Sequence, residues 1–155
     1  GDILYQEKNI SSLNPVQYRR EVSYCFQQPS LFGQTVRDNL IFPYEIRKVD
    51  VNDKQIADLL NQVDLSADFL DKKITALSGG EKQRVALIRN IIFLPKILLL
   101  DEVTTGLDNQ SKDIVHNLIK DVSEKGVTII QVTHDQSEID EASNILRVKK
   151  GGIIE

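Results

Sequence analysis

The chain of 155 residues carries 19 Lys and Arg against 23 Asp and Glu, for a formal net charge of −4, and is 41% hydrophobic. That length and apolar content suit one packed domain, the acidic balance argues against nucleic acid as the main partner, and a lone cysteine, Cys25, excludes an internal disulfide. The longest apolar run, Ile91 to Leu100, is interrupted by Pro95 and Lys96 and falls short of the ~18 residues a membrane helix needs. Cys25 lies in an apolar stretch, which fits a reduced, cytosolic setting. No signal peptide is visible at Gly1-Asp2-Ile3, and no internal repeat is found.

In chain order, Gly1 to Ile10 reads as a hairpin with Ile3-Leu4-Tyr5 as one arm and a turn near Glu7-Lys8-Asn9. Asn14-Pro15 opens a short helix, with Pro15 in its first turn, and Val22 to Phe26 alternates like a strand. Thr35 to Phe42 predicts a helix with Val36, Leu40 and Ile41 inward, stopped by Pro43. Ile56, Leu59, Leu60 and Val63 are at helical spacing in Asp53 to Val63, and Phe69, Leu70, Ile74 and Leu77 complete a small helical subdomain. Leu77-Ser78-Gly79-Gly80-Glu81-Lys82-Gln83-Arg84 holds a capping box, Ser78 with Glu81, ahead of an apolar-periodic run. A helix should start at Gly79 or Gly80 and end near Leu94, with bare amides and the positive dipole end at a tip that two glycines leave open to phosphate.

Ile97-Leu98-Leu99-Leu100-Asp101-Glu102 is an apolar run closed by two carboxylates, which suits a buried parallel strand opening into a site. Adjacent on a strand end, Asp101 and Glu102 should face opposite ways. Asp108 makes a good N-cap for a helix whose apolar face is Ile114, Val115, Leu118, Ile119 and Val122, ended by Gly126. His116 falls among that helix's polar positions. Val127 to Val132 reads as another buried strand, His134 follows it, and Asp135 with Glu138 forms a further capping box. Ile145 to Val148 and Ile153-Ile154, around Gly151-Gly152, close the chain as a hairpin.

LSGGEKQR followed by ILLLDE resembles the signature motif and Walker B strand of ABC-type ATPase domains, and the resemblance extends over nearly the whole chain. The run from Leu31 to Pro43, LFGQTVRDNLIFP, is similar to an iron- or metal-export branch of that family. The resemblance implies an α/β fold of the P-loop NTPase type, a mainly parallel sheet with flanking helices. Residues 1–155 would be one partial domain, 35–77 its helical subdomain, and 78–155 the part with signature helix, Walker B, D-loop and switch histidine.

It further implies ATP and Mg²⁺ as nucleotide and metal. Asp101 and Gln27 would hold Mg²⁺, with Glu102 activating the attacking water and His134 contacting the γ-phosphate. Gln27, directly after the strand-ending Phe26, would also serve catalysis as the Q-loop residue. Ser78, Gly79, Gly80, Glu81 and Asp108 would meet nucleotide across a head-to-tail homodimer. The partners would be ATP and a transmembrane permease subunit, with no nucleic acid, and the place the cytoplasmic face of the membrane.

No G-x-x-x-x-G-K-[ST] occurs in the 155 residues, and the adenine-stacking aromatic is missing as well. The family's P-loop would lie upstream of Gly1, so the chain reads as a fragment, inactive alone. Its Ile97–Leu100 strand would then be left with an unpaired edge. The rival readings are a non-catalytic interaction module, or a soluble ABC protein of DNA repair or translation, which usually has insertions not seen here.

Overall fold

The computed structural model describes residues 1–149 and 151–154; Lys150 and Glu155, the last residue of the expected domain, lie outside the described residues. A two-residue turn at Gln6 and Glu7, both at positive φ (48° and 64°), joins β1 (Leu4–Tyr5) antiparallel to β2 (Lys8–Asn9). Turns of that hand match the twist of paired strands. The turn therefore precedes the expected Glu7-Lys8-Asn9. A 3-10 turn (Ile10–Ser12) leads to α1 (Pro15–Glu21), where Asn14 Oδ1 accepts from the Val16 and Gln17 amides. β3 (Val22–Cys25) follows, one residue shorter than expected, with Phe26 beyond it and exposed.

Thr35 and Asp38 make a capping box that starts α2 (Val36–Glu45). Pro43 lies inside this helix and does not stop it. Proline's fixed φ is helical, so near a C-terminus it removes one amide donor without breaking the last turn. The turn is kept by Ile46, whose amide reaches Phe42 O at 3.1 Å, and Tyr44 beyond the proline is among the largest fully buried side chains. α3 (Asp53–Gln62) buries Ile56 and Leu60, as its spacing predicts. The segment then finishes in two 3-10 turns, Ala67–Asp71 and Ile74–Ala76. Its two ends are stitched together: the Val36 amide bonds Lys72 O and the Ile74 amide bonds Gln34 O, both at 3.0 Å.

The predicted capping box at Ser78 is formed in both directions and opens α4 (Gly79–Ile91). α4 is shorter than expected, ending at Ile91 rather than near Leu94. A residue before proline is disfavoured in the helical region, and the chain must straighten early enough for the Lys96 amide to bond Glu21 O at 2.7 Å. β4 (Ile97–Asp101), α5 (Asn109–Glu124), β5 (Thr128–Val132), the short α6 (Gln136–Glu141) and the hairpin β6 (Arg147–Lys149) with β7 (Gly152–Ile154) complete the chain. Ile145 and Leu146 precede that hairpin instead of joining it, and are exposed. Gly126, at φ 90°, ends α5 from the position where a left-handed residue is wanted.

β3, β4 and β5 form a parallel sheet with β4 in the middle, Tyr24 opposite Leu99 and Leu99 opposite Ile130. The expectation of an unpaired edge on the Ile97–Leu100 strand is therefore wrong. β4 is paired on both sides, and the edges are β3 and β5. Nor is the strand ending at Val132 buried. Its side chains alternate between exposed and half-buried, with Ile130 and Val132 53% and 54% exposed. Cys25, Leu98 and Leu100 join α4's Val85, Leu87 and Ile88 in the hydrophobic core, whereas the register row Tyr24, Leu99, Ile130 lies on a face left partly open. Burial pushes the Cys25 thiol up to about 12, so it packs as an inert apolar group.

α4 touches α2, α3, α5 and β3, and buries Val85, Ala86, Leu87, Ile88 and Ile91. Its approach to α5 is so close that a Cβ on Gly80 would stand 2.7 Å from Ser111 Oγ, whereas one on Gly79 would meet nothing within 4 Å. Gly80→Ala should therefore destabilise the fold by about 1–3 kcal/mol through overpacking. Gly79→Ala should be neutral or stabilise by up to about 1 kcal/mol through helix propensity. Thermal melts of the two variants side by side test the contrast, and equal melting temperatures would refute it.

The open edge of β5 and the row Tyr24, Leu99, Ile130 are ready templates for another chain. Sedimentation velocity of the 155-residue chain should show concentration-dependent association. A single monomeric species at all loadings would count against this.

The caps also set an acid limit. Asp38 is held below the usual carboxylate range by the Gln34 and Thr35 amides, Asp108 by the amide and hydroxyl of Ser111, and Asp135 by the Lys112 ammonium and then Ser137. The folded state gives up these protons more readily than the unfolded chain does. The stability they add is complete above the ordinary carboxylate range and is lost as pH falls through the lowered values. The melting temperature should drop from about pH 5 to about pH 3, and less steeply in D108N. A flat profile in wild type would disprove the assignment.

Candidate functional site

The site forms where β3 and β4 end. Asp101 closes β4, and the Glu102 amide continues the parallel pairing by bonding Val132 O at 3.0 Å. Glu102 itself leaves the strand conformation, with φ 48°. A non-glycine residue held in the left-handed region costs of order 1–3 kcal/mol and persists only where its surroundings enforce it. Here a turn enforces it: the Thr105 amide bonds Glu102 O at 3.1 Å and the Leu107 amide bonds Thr104 O at 3.2 Å. The direction of the Glu102 side chain is thus set by this turn, and not by the strand alternation that the sequence suggests.

Both oxygens of Glu102 are engaged. Gln27 Nε2 donates to Oε2 at 2.8 Å, and His134 Nε2 stands 3.2 Å from Oε1. Glu102 is mostly covered, whereas the His134 side chain is 87% exposed and free to meet a group arriving from outside. Three of the predicted residues, 27, 102 and 134, drawn from three separate loops, therefore converge. Asp101 points elsewhere: its Oδ2 accepts from the Tyr24 hydroxyl at 2.7 Å, a bond that raises the Tyr24 pKa. Tyr24 was not singled out in the sequence, although the register places it beside Leu99, two residues before Asp101.

Asp101 keeps Oδ1 and Gln27 keeps its amide carbonyl oxygen outside these hydrogen bonds. These are hard oxygen donors of the kind Mg²⁺ takes, an ion that binds through one or two carboxylates, retained waters and substrate phosphates. Among the described residues no group of three or more His, Cys, Asp or Glu forms a cage for a metal. The donor set therefore fits an ion shared with a phosphate ligand and not a permanently caged one.

The remaining predicted residues form a second cluster at the tip of α4. Ser78 Oγ takes the Glu81 amide at 3.2 Å and Ser78 O takes the Lys82 amide at 3.0 Å, so Gly79 and Gly80 carry the amides left for the solvent side of the tip. The Glu81 carboxylate is committed within the protein, to the Ser78 amide at 2.7 Å and to Lys72 at 3.1 Å. Burial raises its pKa, and these partners outweigh that and hold it low. Asp108 caps α5 through Ser111, the residue against which Gly80 packs. No hydrogen bond among the described residues joins this cluster to Gln27, Asp101, Glu102 or His134.

One expectation near the site is overturned. Asp135 caps α6 by accepting from the Ser137 amide, yet Glu138 does not complete a capping box. Glu138 turns inward, where it accepts from Thr104, Gln131 and His116 at 2.6, 2.6 and 2.7 Å. His116, on a polar position of α5, is accordingly a partner of this buried carboxylate.

A family model described as "ABC transporter" matches residues 1–105. The chain is 45% identical over 150 residues to an Escherichia coli K12 protein named "Probable iron export ATP-binding protein FetA", an alignment covering 96% of this chain and 67% of that one. It is 39% identical over 166 residues to the ATP-dependent permease MDL1 of Candida albicans, and 34% over 163 residues to mitochondrial MDL1 of Saccharomyces cerevisiae. Those alignments cover 99% of this chain but 24% of each permease, so the chain spans about a quarter of the length of these relatives. Matched over its first 105 residues, and with the signature motif and Walker B order in place, the chain belongs to the ABC transporter family.

Proposed function

We propose that the chain is the part of an ABC-type ATPase that positions the attacking water, in a protein whose ATP hydrolysis drives a membrane transporter. The observation that carries this reading is Glu102, held at φ 48° with Gln27 on one oxygen and His134 on the other. Phosphoryl transfer asks a protein mainly for placement and charge neutralisation. A carboxylate fixed between an amide and an imidazole can orient a water, take its proton, and leave the exposed imidazole to meet the phosphate. Asp101 and the Gln27 carbonyl would hold Mg²⁺, which when bound neutralises phosphate oxygens.

The tip of α4 would serve the opposite subunit of a head-to-tail homodimer, its Gly79 and Gly80 amides and the Ser78 hydroxyl reaching a phosphate there. No hydrogen bond among the described residues ties the tip to Glu102, which supports this division. Residues 35–77, closed on themselves at Lys72 and Ile74, would form the helical subdomain, and the transmembrane permease subunit would dock at the membrane's cytoplasmic side. No helix among the described residues is long and apolar enough to cross a membrane. The likeness to FetA favours an export system, for iron, as the transporter served.

We further propose that these 155 residues do not hydrolyse ATP by themselves, since they contain no P-loop to cradle the phosphates. Calorimetry with Mg-ATP should detect binding only in a version that carries a P-loop on the amino-terminal side. In that version Glu102→Gln should lower kcat by roughly 10²–10⁴-fold, the usual worth of a general base, with ATP affinity little changed. Micromolar binding by the short chain, or full turnover in E102Q, would refute the reading.

A further inference from the structure

Glu138 is 4% exposed at its side chain and sits on α6, one turn past His134. A carboxylate in such a place is costly unless its lone pairs are filled. It is filled by three donors from three other elements. Thr104 Oγ1 reaches Oε1 at 2.6 Å, His116 Nε2 reaches the same oxygen at 2.7 Å, and Gln131 Nε2 reaches Oε2 at 2.6 Å. Because an ionised carboxylate only accepts, His116 must carry its proton on Nε2. Burial pushes Glu138 upward, and the hydrogen bonds, led by that from Thr104, outweigh it and hold the group ionised.

The donors are not scattered. Thr104 is buried two residues after Glu102, in the turn that holds Glu102 at positive φ. Gln131 precedes His134 by three residues, on the strand that delivers it. His116 ties the carboxylate to α5, and one turn earlier Lys112 of the same helix bridges Asp135, the neighbour of His134, at 2.7 Å. An apolar side chain would fill the same volume without a desolvation cost. It could not connect these two loops.

We propose that Glu138 is a positioning residue which, through Thr104 and Gln131, sets the spacing between Glu102 and His134. The inference rests on the reading of those two residues as the hydrolytic pair. Loss of one tie should loosen its own loop, and loss of Glu138 should loosen both, while distant helices are unaffected.

Hydrogen exchange on the 155-residue chain tests the connection without nucleotide. Thr104→Val keeps the shape and removes one donor, and should speed exchange of residues 102–107 about tenfold while leaving 53–62 unchanged. Glu138→Leu should speed both 102–107 and 131–136. Should E138L fail to fold, T104V decides alone. In the version with a P-loop, T104V and E138L should lower kcat roughly ten- to a hundredfold with KM for ATP little moved, as a misplaced catalytic pair requires. Glu138→Gln, which can still accept from Thr104 and His116, should restore most of the rate.

Wild-type exchange in both loops of folded T104V and E138L overturns the proposal. So does a loss shared equally between kcat and KM, which marks a merely structural role. E102Q is measured alongside: undiminished turnover there defeats the hydrolytic reading itself, while the exchange result still decides whether Glu138 links the loops.

Discussion

The packing of α4 is the constraint on which the rest of the chain depends. It touches α2 and α3 on one side, β3 and α5 on the others, and its buried residues belong to the same core as Leu40, Leu60, Leu98 and Val115. Packed on so many neighbours, the helix comes so near α5 that a Cβ on Gly80 would overlap Ser111 Oγ. The helix must nonetheless keep one end free. The capping box resolves the conflict: it satisfies the Ser78 and Glu81 amides internally and leaves the two glycines at the surface.

From that frame two candidate regions emerge, one after the parallel strands and one at the amino ends of α4 and α5. The first gathers Gln27, Glu102 and His134 at the carboxyl ends of the parallel strands, where α/β sheets of this kind present ligands. The second is the α4 tip with the Asp108 cap behind it. The P-loop NTPase type of α/β fold supplies the scaffold for both. The buried carboxylate of Glu138 links the two loops of the first region to α5, whose N-terminal cap lies in the second.

Local features were legible in the sequence and tertiary ones were not. The Ser78 box, the Asn14 and Asp108 caps, and the Gly126 stop each depend on contacts within a few residues, so the pattern suffices. Asp135-x-x-Glu138 has the same local pattern as Ser78-x-x-Glu81, yet its carboxylate turned inward because Thr104, Gln131 and His116, all distant in sequence, offered three donors. The backbone of Glu102 was equally hidden, since its left-handed turn is closed by the residues after it and by pairing to β5. The exposure of β5 escaped notice for a different reason. An apolar alternating run looks the same whether or not anything covers it. Pro43 misled because proline's fixed φ is itself helical and the Ile46 amide still closes the last turn on Phe42.

The left-handed backbone at Glu102 has an evolutionary consequence. Glycine or asparagine would sit there at lower cost than glutamate does. A gene copy released from the need to hydrolyse nucleotide would therefore gain stability at the moment it lost its carboxylate, so decay of the chemistry and hardening of the fold run in the same direction. On the proposed reading, the carboxylate's work on a water is what would hold it there against the preference of its own main chain.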